Sequence, residues 1–181
     1  MDSRRNFLGK VASGIGTLAA VPAQVLGAND RVRVGFIGFG DRATELLNHL
    51  RACPNTEAVA FSDVFTKQLE RAKGLVPGAA TFLDHRRMLE DKSIDAVVIA
   101  TPQHLHALHF VAAIQAGKDI YQEKTMAFNP SHARRMRDAL CGSGRVVQIG
   151  MQMNSGQGIQ KLDSDLSANH RVGADAESET A

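Results

Sequence analysis

The sequence predicts an α/β fold, a doubly wound parallel sheet with helices on both faces, and two observations point there. Six short runs rich in Val, Ile and Phe alternate with stretches of helical periodicity between residues 31 and 150. The connections between them are short, and such alternation is what a parallel sheet with covering crossovers requires.

The first run, "RVRVGFIG" (31–38), is short and β-branched, as a buried parallel strand should be. "RATELLNHLRAC" follows with Ala43, Leu46, Leu47 and Leu50 on one helical face. "EAVAFSD" (57–63) is a second strand ending in a carboxylate, and "TKQLERAKG" a second helix with Gly74 near its end. "AATFL" predicts a third strand and "DHRRMLED" a short helix. "IDAVVIATP" (94–102) is the strongest strand of the chain and breaks at Pro102, after which "QHLHALHFVAAIQAG" reads as a helix closed by Gly117. "DIYQE" is the fifth strand. "NPSHARRMRDALCGSG" is a helix with Asn129 as N-cap and Pro130 in its first turn. "RVVQIG" is the sixth strand, and there is no internal repeat.

A chain of 181 residues with 44% hydrophobic and 22% charged residues suits one globular domain with appendages. A formal net charge of +2 and the absence of Trp argue against a nucleic-acid partner. Cys53 and Cys141 lack metal or disulfide spacing. Residues 1–28 read as a leader: Arg4 and Arg5 precede Phe7, Leu8 and a dilute apolar run, and small residues near Ala23 and Ala28 offer cleavage points. The paired arginines resemble a bacterial twin-arginine export signal, the alternative being an ordinary basic terminus. The expectation is periplasmic export without a stable membrane anchor, because the apolar run is short and diluted by Gly, Ser and Thr. Residues 29–160 are the expected domain. Residues 161–181, rich in Asp, Glu and Ser, read as a disordered tail.

Within the domain, "GFIGFGDRA" sits between the first strand and the first helix. Gly38, Gly40 and Ala43 occupy the three small positions of a G-x-G-x-x-G/A loop. Gly38 permits the tight turn, Gly40 lets backbone approach a pyrophosphate, and Ala43 allows close packing of helix on strand. The helix N-terminus offers N–H groups to the anion, and Arg42 adds a charged donor nearby. Asp63, about 20 residues beyond the glycines, stands where a carboxylate holds the adenosine ribose hydroxyls. It would repel a 2′-phosphate, so NAD is favoured over NADP. A strand–loop–helix with its acid in order points to a dinucleotide. A non-nucleotide α/β binding protein would need that order to be accidental.

Together with "RVRVGFIGFGDRA", the segments "ATPQHLHA" and "GKDIYQEKT" resemble the glucose–fructose oxidoreductase, inositol dehydrogenase and rhizopine-catabolism family, Gfo/Idh/MocA, over residues 31–160. The resemblance implies an NAD(P)-binding Rossmann domain from an oxidoreductase that acts on sugars or polyols. It places Thr101, Pro102 and His106 along the cofactor, with His104 or His106 near the nicotinamide. Metal binding by "HLHALH" is disfavoured, because His104 and His109 diverge on a helix. The family's Glu-Lys-Pro motif falls on Glu123, Lys124 and, in place of proline, Thr125. By resemblance Lys124 is the catalytic residue, stabilising an alkoxide or moving the hydroxyl proton, and Glu123 lies beside the cofactor and can pair with the Lys124 ammonium. Thr in place of Pro leaves the shape of that turn open. Gln152 matches a polar position that touches cofactor or substrate.

The family's second domain, a largely antiparallel sheet that supplies substrate contacts, is expected to be absent, since residues 161–181 carry none of its character. The abrupt change after Gln160 points to a shifted frame, a truncated gene or a short paralogue. Two functions follow: the cofactor half of a sugar-type dehydrogenase, or a catalytically inactive dinucleotide-binding fragment. A homo-oligomer is also expected from the family, although its contacts run largely through the second domain.

Overall fold

The structure, a computed structural model, describes residues 31–151. The expected leader, the tail and Gln152 lie outside the described residues.

The apolar runs become strands β1 (Val32–Ile37), β2 (Thr56–Ser62), β3 (Ala80–Phe82), β4 (Ala96–Ile99), β5 (Asp119–Glu123) and β6 (Val147–Gly150). Between them lie helices α1 (Asp41–Arg51), α2 (Thr66–Leu75), α3 (His85–Leu89), α4 (His106–Gln115) and α5 (Pro130–Leu140). The strands form one six-stranded sheet in the order β3-β2-β1-β4-β5-β6. Every neighbouring pair is parallel. The expected doubly wound sheet is therefore present. Strand order reverses between β1 and β4, and in open sheets of this kind a crevice opens at the carboxyl ends on either side of that switch.

Alternation along each strand divides the core between two faces. On one face Ile37, Val97, Ile99 and Ile120 pack with Met88, Phe110, Ala113 and Met136 from α3, α4 and α5. On the other, Val34, Phe36, Phe61 and Val98 pack with Ala43, Leu47, Leu69 and Ala72 from α1 and α2. Val97 and Val98, adjacent in sequence, serve opposite layers, which is why β4 reads as a continuous apolar run rather than an alternating one.

The helix expected from Gln103 begins later. Pro102 has no N–H and an extended ψ of 142°, and residues Gln103–Leu105 form a 3₁₀ turn before α4 starts at His106. Two helix starts carry side-chain caps. The Asn129 side chain accepts from the His132 N–H at 2.9 Å at the head of α5, and that of Asp84 accepts from the Arg86 N–H at the head of α3. No side chain caps α1, whose N-cap is Gly40. Among the described residues no helix is long and apolar enough to cross a membrane.

Candidate cofactor site

The loop from β1 into α1 is shaped by two glycines with different tasks. Gly38 has φ +81°, and a Cβ there would lie 2.6 Å from Thr101 Cγ2 and 3.0 Å from the Ala100 carbonyl oxygen. Neither the conformation nor the space admits a side chain. Gly40 is the opposite case, since a Cβ on it would meet nothing within 4 Å. The fold does not need glycine at that position, and the space in front of it lies at the uncapped head of α1. Between them, Phe39 is 0% exposed and anchors the loop. Its ring packs edge-on against Phe36 at 5.9 Å and Phe61 at 4.6 Å. Ala43, fully buried, lets α1 lie close on the sheet.

Asp63, at the end of β2, is tied directly to this loop. Its Oδ2 accepts from the Phe39 N–H at 2.7 Å and its Oδ1 from the Phe65 N–H at 2.9 Å. A carboxylate has about four acceptor positions, so two remain for ribose hydroxyls. Gly38 donates its N–H to the Ser62 carbonyl at 2.8 Å, closing the seam between the two strand ends.

The segment after β4 contains the histidines. Thr101 is partly buried, while Pro102 and His104 are exposed at the rim. His106 is 0% exposed, with Nδ1 2.7 Å from the Thr125 carbonyl oxygen and Nε2 2.8 Å from the Thr101 carbonyl oxygen. Its neighbours are thus two main-chain carbonyls rather than an open cofactor face. His109 is also buried, and its Nδ1 lies 3.0 Å from the Thr101 hydroxyl. Burial, with His85 and His106 adding to it, pushes the His109 ring down to about 4. His104 and His109 do not meet, and no group of three or more His, Cys, Asp or Glu among the described residues is arranged to hold a metal ion.

At the end of β5 the ion pairing differs from expectation. Glu123, with its side chain 6% exposed, pairs with Arg42 at 2.9 Å and not with Lys124. Arg42 also donates to Glu45 at 2.7 Å, so its guanidinium is shared between two carboxylates instead of standing free for an anion. Burial pulls Arg42 down, but the bonds to Glu45 and Glu123 outweigh it and hold the group above its ordinary range. Tyr121 lies beside the pair, and burial and then Glu123 push its hydroxyl up. Gly150 completes the cluster: a Cβ there would meet the Tyr121 hydroxyl and come within 3.1 Å of Glu123 Oε1. Lys124 is exposed at the rim and makes no hydrogen bond or ion pair among the described residues. The Lys124–Thr125 peptide bond is cis, although no proline occupies the turn.

Phe39, Tyr121 and Gly150 pack around this region without having been singled out in the sequence, where His109 figured only as a rejected metal ligand. For Phe39 a signal existed, an aromatic residue held between the loop glycines. For the Arg42–Glu123 pair there was none, since 81 residues separate the partners.

Comparison with known proteins agrees with this fold. Inositol 2-dehydrogenase 4 of Saccharopolyspora erythraea is 32% identical over 128 residues, covering 68% of this chain and 37% of that protein. A glycosyl hydrolase family 109 protein of Stenotrophomonas maltophilia is 36% identical over 127 residues, covering 63% of this chain and 28% of that one. Among solved structures, the WlbA dehydrogenase of Bordetella pertussis, in complex with NADH and UDP-GlcNAcA, superimposes with a TM-score of 0.72 at 25% identity, covering 76% of this chain and 42% of that one. The chain thus spans well under half the length of the relatives it matches. The oxidoreductase family with an NAD-binding Rossmann fold matches residues 32–151, most of the chain, and the protein belongs to that family, Gfo/Idh/MocA.

Proposed function

We propose that the chain binds NAD across the carboxyl ends of β1, β2 and β4 and forms the cofactor half of an oxidoreductase acting on a hydroxyl-bearing carbon of a sugar or polyol. The observation that carries this reading is the pair of glycines: Gly38 has no room for a side chain, while Gly40 faces open space at an uncapped helix head. A diphosphate fits that arrangement, because oriented N–H groups and the helix dipole favour an anion there. Asp63 is held by two backbone bonds beside it and keeps acceptor capacity for the adenosine ribose. Val64 and Phe65, exposed just beyond Asp63, offer apolar surface to a purine. A fixed carboxylate at this point repels a 2′-phosphate, which favours NAD over NADP.

Bound NAD supplies a hydride acceptor and NADH a hydride donor. The protein supplies position and charge. Thr101 and Pro102 line the nicotinamide end, and His104, exposed where His106 and His109 are buried, is the histidine of that segment free to meet it. Glu123 is matched by Arg42, so the Lys124 ammonium keeps its charge for an alkoxide forming on substrate, or passes a proton to and from the hydroxyl. Gln152 is retained as a contact to cofactor or substrate. The substrate class is supported by relatives named as inositol 2-dehydrogenases.

A second reading is a dinucleotide-binding module with little turnover. It is favoured by the exposure of Lys124, since a catalytic pocket needs a dry, oriented enclosure. Calorimetric titration with NADH, followed by a dehydrogenase screen over inositols and sugars, separates the two. NADH binding with turnover supports the enzyme, binding alone supports the module, and no binding sinks both. Asp63→Ser should narrow the preference for NAD over NADP; an unchanged ratio removes the cofactor assignment. Twin-arginine export through Arg4 and Arg5 to the periplasm and assembly into a homo-oligomer belong to the same proposal, tested by fractionation of an Arg4→Lys, Arg5→Lys variant and by sedimentation.

A further inference from the structure

His106 occupies a position that its place in a cofactor-lining segment does not explain. It opens α4, is fully buried, and reaches two loops at once. One is the turn after β4, through the Thr101 carbonyl; the other is the turn after β5, through the Thr125 carbonyl, next to Lys124. Carbonyl oxygens only accept, so each bond requires an N–H on the ring, and a histidine donating through both nitrogens is an imidazolium.

The loops it joins are themselves anchored. Thr101 presents its methyl to Gly38, where a Cβ would approach it to 2.6 Å, and its hydroxyl to His109. The far turn is held a second time by Gln122, fully buried, which donates Nε2–H to the Met126 carbonyl at 2.7 Å. A continuous set of contacts therefore runs from the glycine loop through Thr101 and His106 to the turn that carries Lys124.

We propose that His106 is a positioning residue that holds the Lys124 turn in register with the glycine loop, so that the two ends of one bound dinucleotide are met together. This rests on the cofactor reading above. The brace acts on the nicotinamide end and leaves the adenine end, built on Gly40 and Asp63, untouched. NADH and ADP-ribose separate the two ends, because ADP-ribose lacks the nicotinamide.

The test uses the full chain. In His106→Leu, NADH binding followed by nicotinamide fluorescence should weaken about tenfold or more, while ADP-ribose affinity changes less than about twofold. His106→Gln, whose amide carries two N–H donors, should recover part of the loss. On the wild-type chain, nitrogen-15 NMR of labelled histidine should show one buried ring with both nitrogens protonated, a measurement that survives even if the leucine variant fails to fold. The brace is overturned by a ring carrying a single N–H, by equal loss of NADH and ADP-ribose, or by unchanged NADH binding in His106→Leu. Failure of the wild-type chain to bind either ligand overturns the cofactor reading itself, and the brace with it.

Discussion

After β1 the chain turns on glycines, and its N–H groups bond to the end of the neighbouring strand, the Ser62 carbonyl and the Asp63 carboxylate; after β5 it turns under side chains that arrive from helices. The glycine loop is closed by the Gly38 N–H on Ser62 and by the Phe39 N–H on Asp63. The lysine turn is held by His106 from α4, and Glu123 just before it by Arg42 from α1. Both regions lie at the carboxyl end of the sheet. The glycine loop needs glycine at the right step and one acid at the adjoining strand end, whereas the braced turn needs partners in register from two helices. The first should fail by steric conflict at a single residue, and the second by loss of charge or of a hydrogen bond.

The sharpest break is Gly38→Val. A branched side chain at φ +81°, against Thr101 and the Ala100 carbonyl, should cost about 3 kcal/mol or more of stability, read by urea denaturation. A smaller effect comes from acid, through the braced region. His109 is buried and held down to about 4, so on unfolding its ring takes up a proton that the folded ring refuses. Its contribution is complete above the ordinary histidine range near 6.5 and declines as pH falls from there towards 4. By pH 5 the loss should reach about 2 kcal/mol, and His109→Gln should flatten that slope. Gly40→Leu tests the loop without touching its fold. Stability should hold, since nothing lies within 4 Å, while NADH affinity falls by at least about tenfold, roughly 1.4 kcal/mol. The smallest effect is Arg42→Gln, which leaves Glu123 without its cation and should cost about 1 kcal/mol. If Arg42→Gln proves more damaging than Gly38→Val, the distinction between the two regions is false.

That distinction also governs what could be read in advance. The fold was legible because strand and helix periodicities are local: five of the six strands lie within their expected runs, and β2 begins one residue early, at Thr56. The largest shift of a helix start came where backbone chemistry intervened, at Pro102, where a proline displaced it to His106. The glycine loop was legible for the same reason, because spacing along the chain fixes its geometry. The braced turn was not. Resemblance brought Glu123, Lys124 and His106 to attention but paired Glu123 with Lys124, whereas its partner is Arg42. Arg42 was expected to face an anion and instead meets two carboxylates. His104 or His106 was expected near the nicotinamide; the His106 ring lies between two carbonyls, and His104 is exposed at the rim. Side-chain partners tens of residues apart follow from the packed fold, and no spacing rule announces them.

The matched charges around α1 bear on how an anion finds this crevice. Arg42 is shared by Glu45 and Glu123, and Arg71 is taken by Asp41. Little uncompensated positive charge is left there to project a field into solvent. Capture at the phosphate end therefore depends on peptide dipoles that act only over a few ångströms, inside the range that dissolved ions screen. Adding salt should barely slow the encounter, in contrast to proteins that draw polyanions in from a distance with free lysines and arginines.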